Sequence, residues 1–186
     1  MSSLGGFFVR WRVRLSYPLA ILVLWFARPT PLSIACAVPI GLLGILIRAR
    51  AAGHLHKQEV LTVTGPYAYT RNPLYFGSAF LALAAAIAAR SWVSAALLFA
   101  YFAVFYSFVM RREEAELRQR HGAAFEEYAA SVPLFFPRAF PAKLSSAKPG
   151  AFSLAQYKKN HEYQAAVGFL LLLGVFLLAW WIRLRW

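Results

Sequence analysis

Two short polar stretches interrupt an otherwise apolar chain, and their residue types could do chemistry. The first, Gly65-Pro-Tyr-Ala-Tyr-Thr-Arg-Asn-Pro-Leu-Tyr75, places three tyrosines, Arg71 and Asn72 within nine residues. An arginine beside aromatic rings at the edge of an apolar run is ordinarily a snorkelling cation in an interfacial belt. The density here exceeds what a belt needs. The second stretch runs from Arg111 to Ser131 and holds Glu113 and Glu114. At about 100° per residue, Leu117, Ala124, Phe125, Tyr128 and Val132 share one helical face. Glu114 falls within that face and Glu113 at its edge, while Glu116, Glu126 and Glu127 point elsewhere. A salt-bridged, solvated helix is the plain alternative. Carboxylates turned toward an apolar stripe nevertheless need a cation. Arg71 is one candidate and a bound cationic ligand is the other.

The elements that must position these groups are membrane helices. Of the 186 residues, 60% are hydrophobic and 15% charged, with mean hydropathy +0.53. Soluble domains run nearer half apolar and about a quarter charged. A soluble enzyme, a disordered tail and a disulfide-stapled module are thereby excluded, the last because Cys36 stands alone. Apolar runs cover 15–27, 32–47, 74–89, 92–110 and 165–182. They predict an all-α polytopic bundle of about five transmembrane helices. Only the fourth and fifth runs approach the ~20 residues a hydrocarbon core demands. Arg28-Pro29-Thr30-Pro31 predicts a tight link between the first two. Arg10, Arg12 and Arg14 before the first run outline a signal peptide, but the segment reads as a retained membrane anchor. Gly65-Pro66 and Asn72-Pro73 are turn signals, and Pro73 suits the first turn of the third helix. The Arg111–Ser131 stretch continues the fourth run without a strong breaker. It predicts one long helix leaving the membrane, with Gly122 tolerated at a cost of about 1 kcal/mol. Cys36 is expected to pack between spans.

Charge orients the bundle. Lysines and arginines outnumber acids by 20 to 7, and every acid is a glutamate. Sixteen of the cations fall before the first run, between the second and third, or between the fourth and fifth; Arg28, Arg90, Arg183 and Arg185 fall on the other side. The positive-inside rule puts the N-terminus and both polar stretches in the cytoplasm and the C-terminus opposite. The partition also removes the reason to invoke nucleic acid as a partner. The bilayer is the partner expected instead. His54 and His56 lack a third ligand, so no metal site is expected.

The two stretches resemble a known family. Gly65-Pro-Tyr-Ala-Tyr-Thr-Arg-Asn-Pro-Leu-Tyr-Phe-Gly77 is similar to the Gly-x-Tyr…Arg-(His/Asn)-Pro-x-Tyr-x-Gly signature of integral membrane isoprenylcysteine carboxyl methyltransferases and their phospholipid methyltransferase relatives. Glu113-Glu114-x-x-Leu117…Gly122-x-x-Phe125-x-x-Tyr128 resembles the acidic motif that follows in the same superfamily. The resemblance covers about residues 41–137 and implies S-adenosylmethionine as methyl donor. It implies cofactor-binding roles for Gly65, Tyr67, Arg71, Asn72, Pro73, Tyr75, Glu113 and Glu114. Catalytic roles are implied for Arg71, Asn72, Tyr75 and Glu114. The chain then reads as a single membrane domain: an N-terminal hairpin (1–47), a methyltransferase core with the cofactor site (48–140), and a linker with a C-terminal transmembrane helix (141–186). Asn72 stands where the eukaryotic prenylcysteine enzymes carry His, and Glu59 where they carry another His. The acceptor is accordingly open.

The expected reaction is methyl transfer to a lipophilic acceptor, with an isoprenylcysteine-type carboxylate favoured. A carboxylate is already ionised, and Arg71 could orient it. A phospholipid amine must first lose a proton, with Glu113, Glu114 or His56 to assist. A sterol-reductase relative would be much longer, and a non-enzymatic scaffold would have no use for a ligand of this kind. Phe135, Phe136 and Phe140 among Pro133, Pro137 and Pro141 suggest an interfacial segment. Lys143–Gly150 reads as a polar linker.

Overall fold

The computed structural model describes residues 3–56, 60–144 and 150–185. Among them, seven α-helices form in order: α1 (Ser3–Phe26), α2 (Pro31–His54), α3 (Pro73–Ala89), α4 (Trp92–His121), α5 (Ala123–Ser131), α6 (Leu154–Lys159) and α7 (Tyr163–Arg185). A single 3-10 turn, Gly65–Ala68, precedes α3, and no strand occurs among the described residues. The expected all-α class is therefore correct. Three helices, α2, α4 and α7, are long and apolar enough to cross a membrane. Two shorter apolar helices, Arg14–Phe26 and Pro73–Ala89, accompany them. The 17 residues of α3 span about 25 Å, less than a bilayer core of ~30 Å. The second apolar run proves longer than its hydropathy suggested, because α2 continues through Arg48 and Arg50 to His54.

The chain divides into two compact units. Unit 1 comprises residues 1–43, 79–109 and 166–186. Its helices approach closely through small side chains: Ala27, Ala37, Ala84, Ala85, Ala88 and Ala89 are all buried. Where apolar helices gain little from leaving lipid, such close contact and interhelical hydrogen bonds hold them together. Two serines supply those bonds. Ser33 donates to the Ala88 carbonyl at 3.1 Å, and Ser94 to that of Val23 at 2.9 Å. Cys36 is exposed on α2, which corrects the expectation that it packs between helices.

Unit 2 comprises residues 44–78 and 110–165 and holds both polar stretches. Its apolar core joins Val63, Phe125, Tyr128 and Val132, with Leu61 and Leu117 packed against them. The expected long helix breaks at Gly122, whose φ of +51° only glycine adopts without strain. The break separates α4 from α5, yet Phe125, Tyr128 and Val132 still reach Leu117. Ala124, expected on the same face, is exposed.

Backbone pairing ties the parts of unit 2 together. The amides of Arg71, Arg138 and Ala142 donate to the carbonyls of Pro133, Tyr69 and Ala68 at 2.9, 3.0 and 2.9 Å. The Phe-Pro segment is thus clamped to the signature turn. Phe136 and Phe140 are left exposed on it, while Phe135 meets Phe76 edge to face. The open carbonyls at the end of α2 are met by the segment around α6: Ser153 N donates to Gly53 O at 2.9 Å and Asn160 Nδ2 to Ala52 O at 2.8 Å. Arg48, half-buried on α2, donates to Glu162 at 2.5 Å, to the Leu74 carbonyl at 3.2 Å and to Ser78 Oγ.

That arrangement depends on close approach of α2 to α3. A Cβ placed on Gly77 would stand 2.8 Å from the Gly44 carbonyl oxygen and 2.6 Å from Arg48 Cγ. Gly77→Ala should therefore destabilise unit 2 by about 1–3 kcal/mol. The expected result is a lower thermal unfolding midpoint in detergent; an unchanged midpoint would show that the contact has room to relax.

Candidate functional site

Unit 2 encloses a cavity of about 340 Å³. The wall from the first stretch is built by Tyr67, Arg71, Asn72, Pro73, Leu74 and Tyr75. Pro73 opens α3, and the Phe76 amide donates to the Asn72 carbonyl at 2.9 Å, so the signature lies at the start of that helix. The Asn72 side chain does not face ligand space freely. Its Nδ2 donates to the Leu134 carbonyl at 3.0 Å, which ties the turn to the Phe-Pro segment. Thr70, buried beside it, donates to the Phe135 carbonyl at 2.9 Å.

The opposite wall comes from the last turns of α4: Glu113, Glu116, Leu117, Arg120 and His121. Glu113, Glu116, Leu117 and Arg120 recur at i, i+3, i+4 and i+7, one helical stripe. Glu116 is expected to point elsewhere if one helical phase runs through Gly122, but α4 ends at His121. Glu116 instead lines the cavity while its carboxylate also meets Arg112 at 2.9 Å. His56, Leu55 and Leu61 close the remaining side, after the end of α2. Glu59 lies outside the described residues.

Two acid contacts join the walls. Tyr75 donates its phenol to Glu113 at 2.5 Å. Arg71 Nε stands 3.0 Å from Glu114 Oε1, and both side chains are largely buried, with 14% and 18% exposure. The cation expected to meet Glu114 is therefore Arg71. The N–H is not directed along the line between them, so both buried atoms lie within ion-pair reach without completing a hydrogen bond. Glu114 is not on the cavity wall; it stands behind Arg71, which is. Gly65 also stands back, with φ +60° where the 3-10 turn opens and with the His54 ring packed against it. Of the eight residues implied as cofactor-binding, the structure brings Tyr67, Arg71, Asn72, Pro73, Tyr75 and Glu113 to one cavity and leaves Gly65 and Glu114 as its support.

Residues 32–124 match the family model described as phospholipid methyltransferase. The chain belongs to the phospholipid methyltransferase family. The whole first signature and the Glu113–Glu114 pair lie within the match, while Phe125 and Tyr128 fall just beyond it. The family is part of the isoprenylcysteine and phospholipid methyltransferase superfamily, as the motifs implied. Its members are membrane methyltransferases that generally use S-adenosylmethionine. The chain is also 32% identical to the nickel-cobalt-cadmium resistance protein NccN of Alcaligenes xylosoxydans xylosoxydans, over 74% of this chain and 70% of that one. It is 31% identical to the cobalt-zinc-cadmium resistance protein CzcN of Cupriavidus metallidurans, over 69% of this chain and 62% of that one. No solved structure matches.

The site's tyrosines are set by burial. Tyr128 donates its phenol to the Tyr67 carbonyl at 2.8 Å, holding the turn that carries the signature. Burial pushes the Tyr67 phenol well above its ordinary pKa of 10.0, with Tyr128 and Glu113 adding to the rise. Burial also raises Tyr128, against the pull of the Arg71 charge. Both phenols thus stay neutral donors across the physiological range. A phenol pKa raised by folding gives stability that is complete below the unfolded value near 10 and is lost as pH climbs toward the folded value. Thermal midpoints should therefore hold from pH 7 to about 10, as far as these groups decide, and fall above it. Tyr128→Phe should lower the midpoint at neutral pH by the equivalent of about 1–2 kcal/mol, because the Tyr67 carbonyl loses its donor.

Proposed function

We propose that this chain is an S-adenosylmethionine-dependent membrane methyltransferase whose donor binds in the unit 2 cavity and whose acceptor is lipophilic. The observation that carries the reading is the Arg71–Glu114 pair, buried and incompletely hydrogen-bonded beside a cavity lined by carboxylates on one wall. Arg71 lines the cavity while Glu114 stands behind it, so a ligand carboxylate there would add partners for the Arg71 guanidinium. The donor set also fits. A sulfonium amino acid brings an ammonium and a sulfonium, which Glu113 and Glu116 can meet, and a carboxylate, which Arg71 or Arg120 can meet. The cavity volume falls in the range of roughly 300–1,000 Å³ usual for small-molecule sites.

When bound, the cofactor supplies an electrophilic methyl group. The chain's own residues have the tasks of binding, alignment and water exclusion, since methyl transfer by in-line displacement needs little more. Tyr75 fixes Glu113 so that its charge faces the cavity in one direction. Glu114 fixes Arg71 in the same way from behind. Leu55, Leu61 and Leu117 keep that wall dry, which strengthens the charge contacts inside. Asn72 acts through the Leu134 carbonyl and is assigned a positioning role.

For the acceptor, an isoprenylcysteine-type carboxylate needs only orientation, and Arg71 and Arg120 are the cations available. A phospholipid amine is the second reading, favoured by the description of the matched family. It requires a proton acceptor, and His56 and His121 stand on the cavity wall for that task. The 16-to-4 partition of cations supports a cytoplasmic site in this reading. The relatives' names concern metal resistance; a methylated lipid or prenyl acceptor in the same membrane is compatible with that setting.

The test is transfer of labelled methyl from S-adenosylmethionine to a prenylcysteine, to phosphatidylethanolamine and to a lipid extract. Arg71→Ala and Glu114→Ala should each reduce turnover at least 100-fold, about 2.7 kcal/mol in the barrier, measured on the fraction that remains inserted and folded. Normal turnover in both variants would remove the site from this assignment.

A further inference from the structure

Unit 1 holds a second candidate site, unrelated to the cofactor cavity. The stretches 1–43, 79–109 and 166–186 contain no aspartate or glutamate. At the link from α1 to α2, two guanidinium groups nevertheless converge on one carbonyl oxygen. Arg28 Nη1 donates to Ala27 O at 3.1 Å and to Trp25 O at 3.3 Å. Arg183, from the last turn of α7, donates to the same Ala27 O, and its Nη2 reaches Trp25 O at 3.0 Å and Leu24 O at 3.4 Å.

These carbonyls are the ones left open where α1 ends, so a basic side chain here has an obvious structural use. One guanidinium meets that need, since Arg183 alone covers all three carbonyls. The second brings a like charge to a shared acceptor. Among the described residues no carboxylate pairs with either. Arg185, two residues on, is instead stacked 3.9 Å over the Trp181 ring. A hollow of about 520 Å³ opens between Trp25, Arg28 and Arg183.

We propose that this hollow binds the phosphate of an anionic phospholipid. Two adjacent guanidinium forks match a phosphodiester's oxygens, and the anion offsets the repulsion between them. The flank favours a lipid over a free phosphate: Trp25, Phe26 and Ile182 present exposed apolar surface around the two cations. Tryptophan beside arginine is also the pairing suited to headgroup depth, where one end is apolar and the other wet.

Native mass spectrometry of the full chain in detergent tests this, with dioleoylphosphatidylglycerol, dioleoylphosphatidylcholine and inorganic phosphate as separate probes. The expected result is one phosphatidylglycerol per chain, held at least tenfold tighter than phosphatidylcholine, with no comparable retention of phosphate. Arg28→Gln should weaken it at least threefold while Arg183 still closes α1, and the R28Q/R183Q pair at least tenfold. Arg185→Gln should leave it within twofold. Equal affinity for the two lipids, unchanged binding in Arg28→Gln, or phosphate binding as tight as phosphatidylglycerol would each overturn the proposal.

Discussion

A guanidinium and a carboxylate drawn out of water must meet, and in unit 2 the pair that does so is Arg71 and Glu114. Neither is tolerable alone at that burial, so the turn before α3 and the last part of α4 are held to a single register. Every other polar contact at the site is consistent with that register. Tyr75, four residues beyond Arg71, reaches Glu113, the neighbour of Glu114. Tyr128, on α5, reaches back to the Tyr67 carbonyl in the same turn. The pair itself remains imperfectly directed.

The arrangement separates two roles that adjacent acids would otherwise share. Consecutive residues on a helix point about 100° apart, so Glu113 can face the cavity while Glu114 faces the protein. Glu113 contributes negative charge where a cationic donor would lie. Glu114 cancels the charge of Arg71 and fixes its direction, so the cavity gains an oriented guanidinium without a net excess of positive charge. The signature's asparagine has a similar supporting part, since its amide is committed to the Leu134 carbonyl.

Much of this was legible in residue order. The apolar runs marked the helices, Arg28–Pro31 marked the tight link, and the apolar face of the Arg111–Ser131 stretch picked out Glu114 and its need for a cation. What stayed hidden was set by distant partners. Arg48 reads as the cation that ends a span, yet α2 continues past it because Glu162, 114 positions away, and Ser78 receive its donors. Gly122 reads as a tolerable helical residue at about 1 kcal/mol; its left-handed backbone is chosen by the packing of Phe125 and Tyr128, which no local propensity encodes. The apolar face read from the sequence was set largely by residues beyond that break, which turned Glu116 and Arg120, both on α4, away from it. The i+3 and i+7 spacing of Glu116 and Arg120 from Glu113 was the signal that would have found those two, and His121 follows one residue on.

The cofactor site proposed for unit 2 is assembled around Arg71 and Glu114. Isothermal titration of S-adenosylhomocysteine into the full chain in detergent tests it most directly. The account predicts one equivalent bound per chain in the wild type, and at least tenfold weaker binding in Glu114→Gln, which leaves the Arg71 charge uncompensated. No heat of binding at high micromolar ligand, or equal affinity in Glu114→Gln, would contradict it.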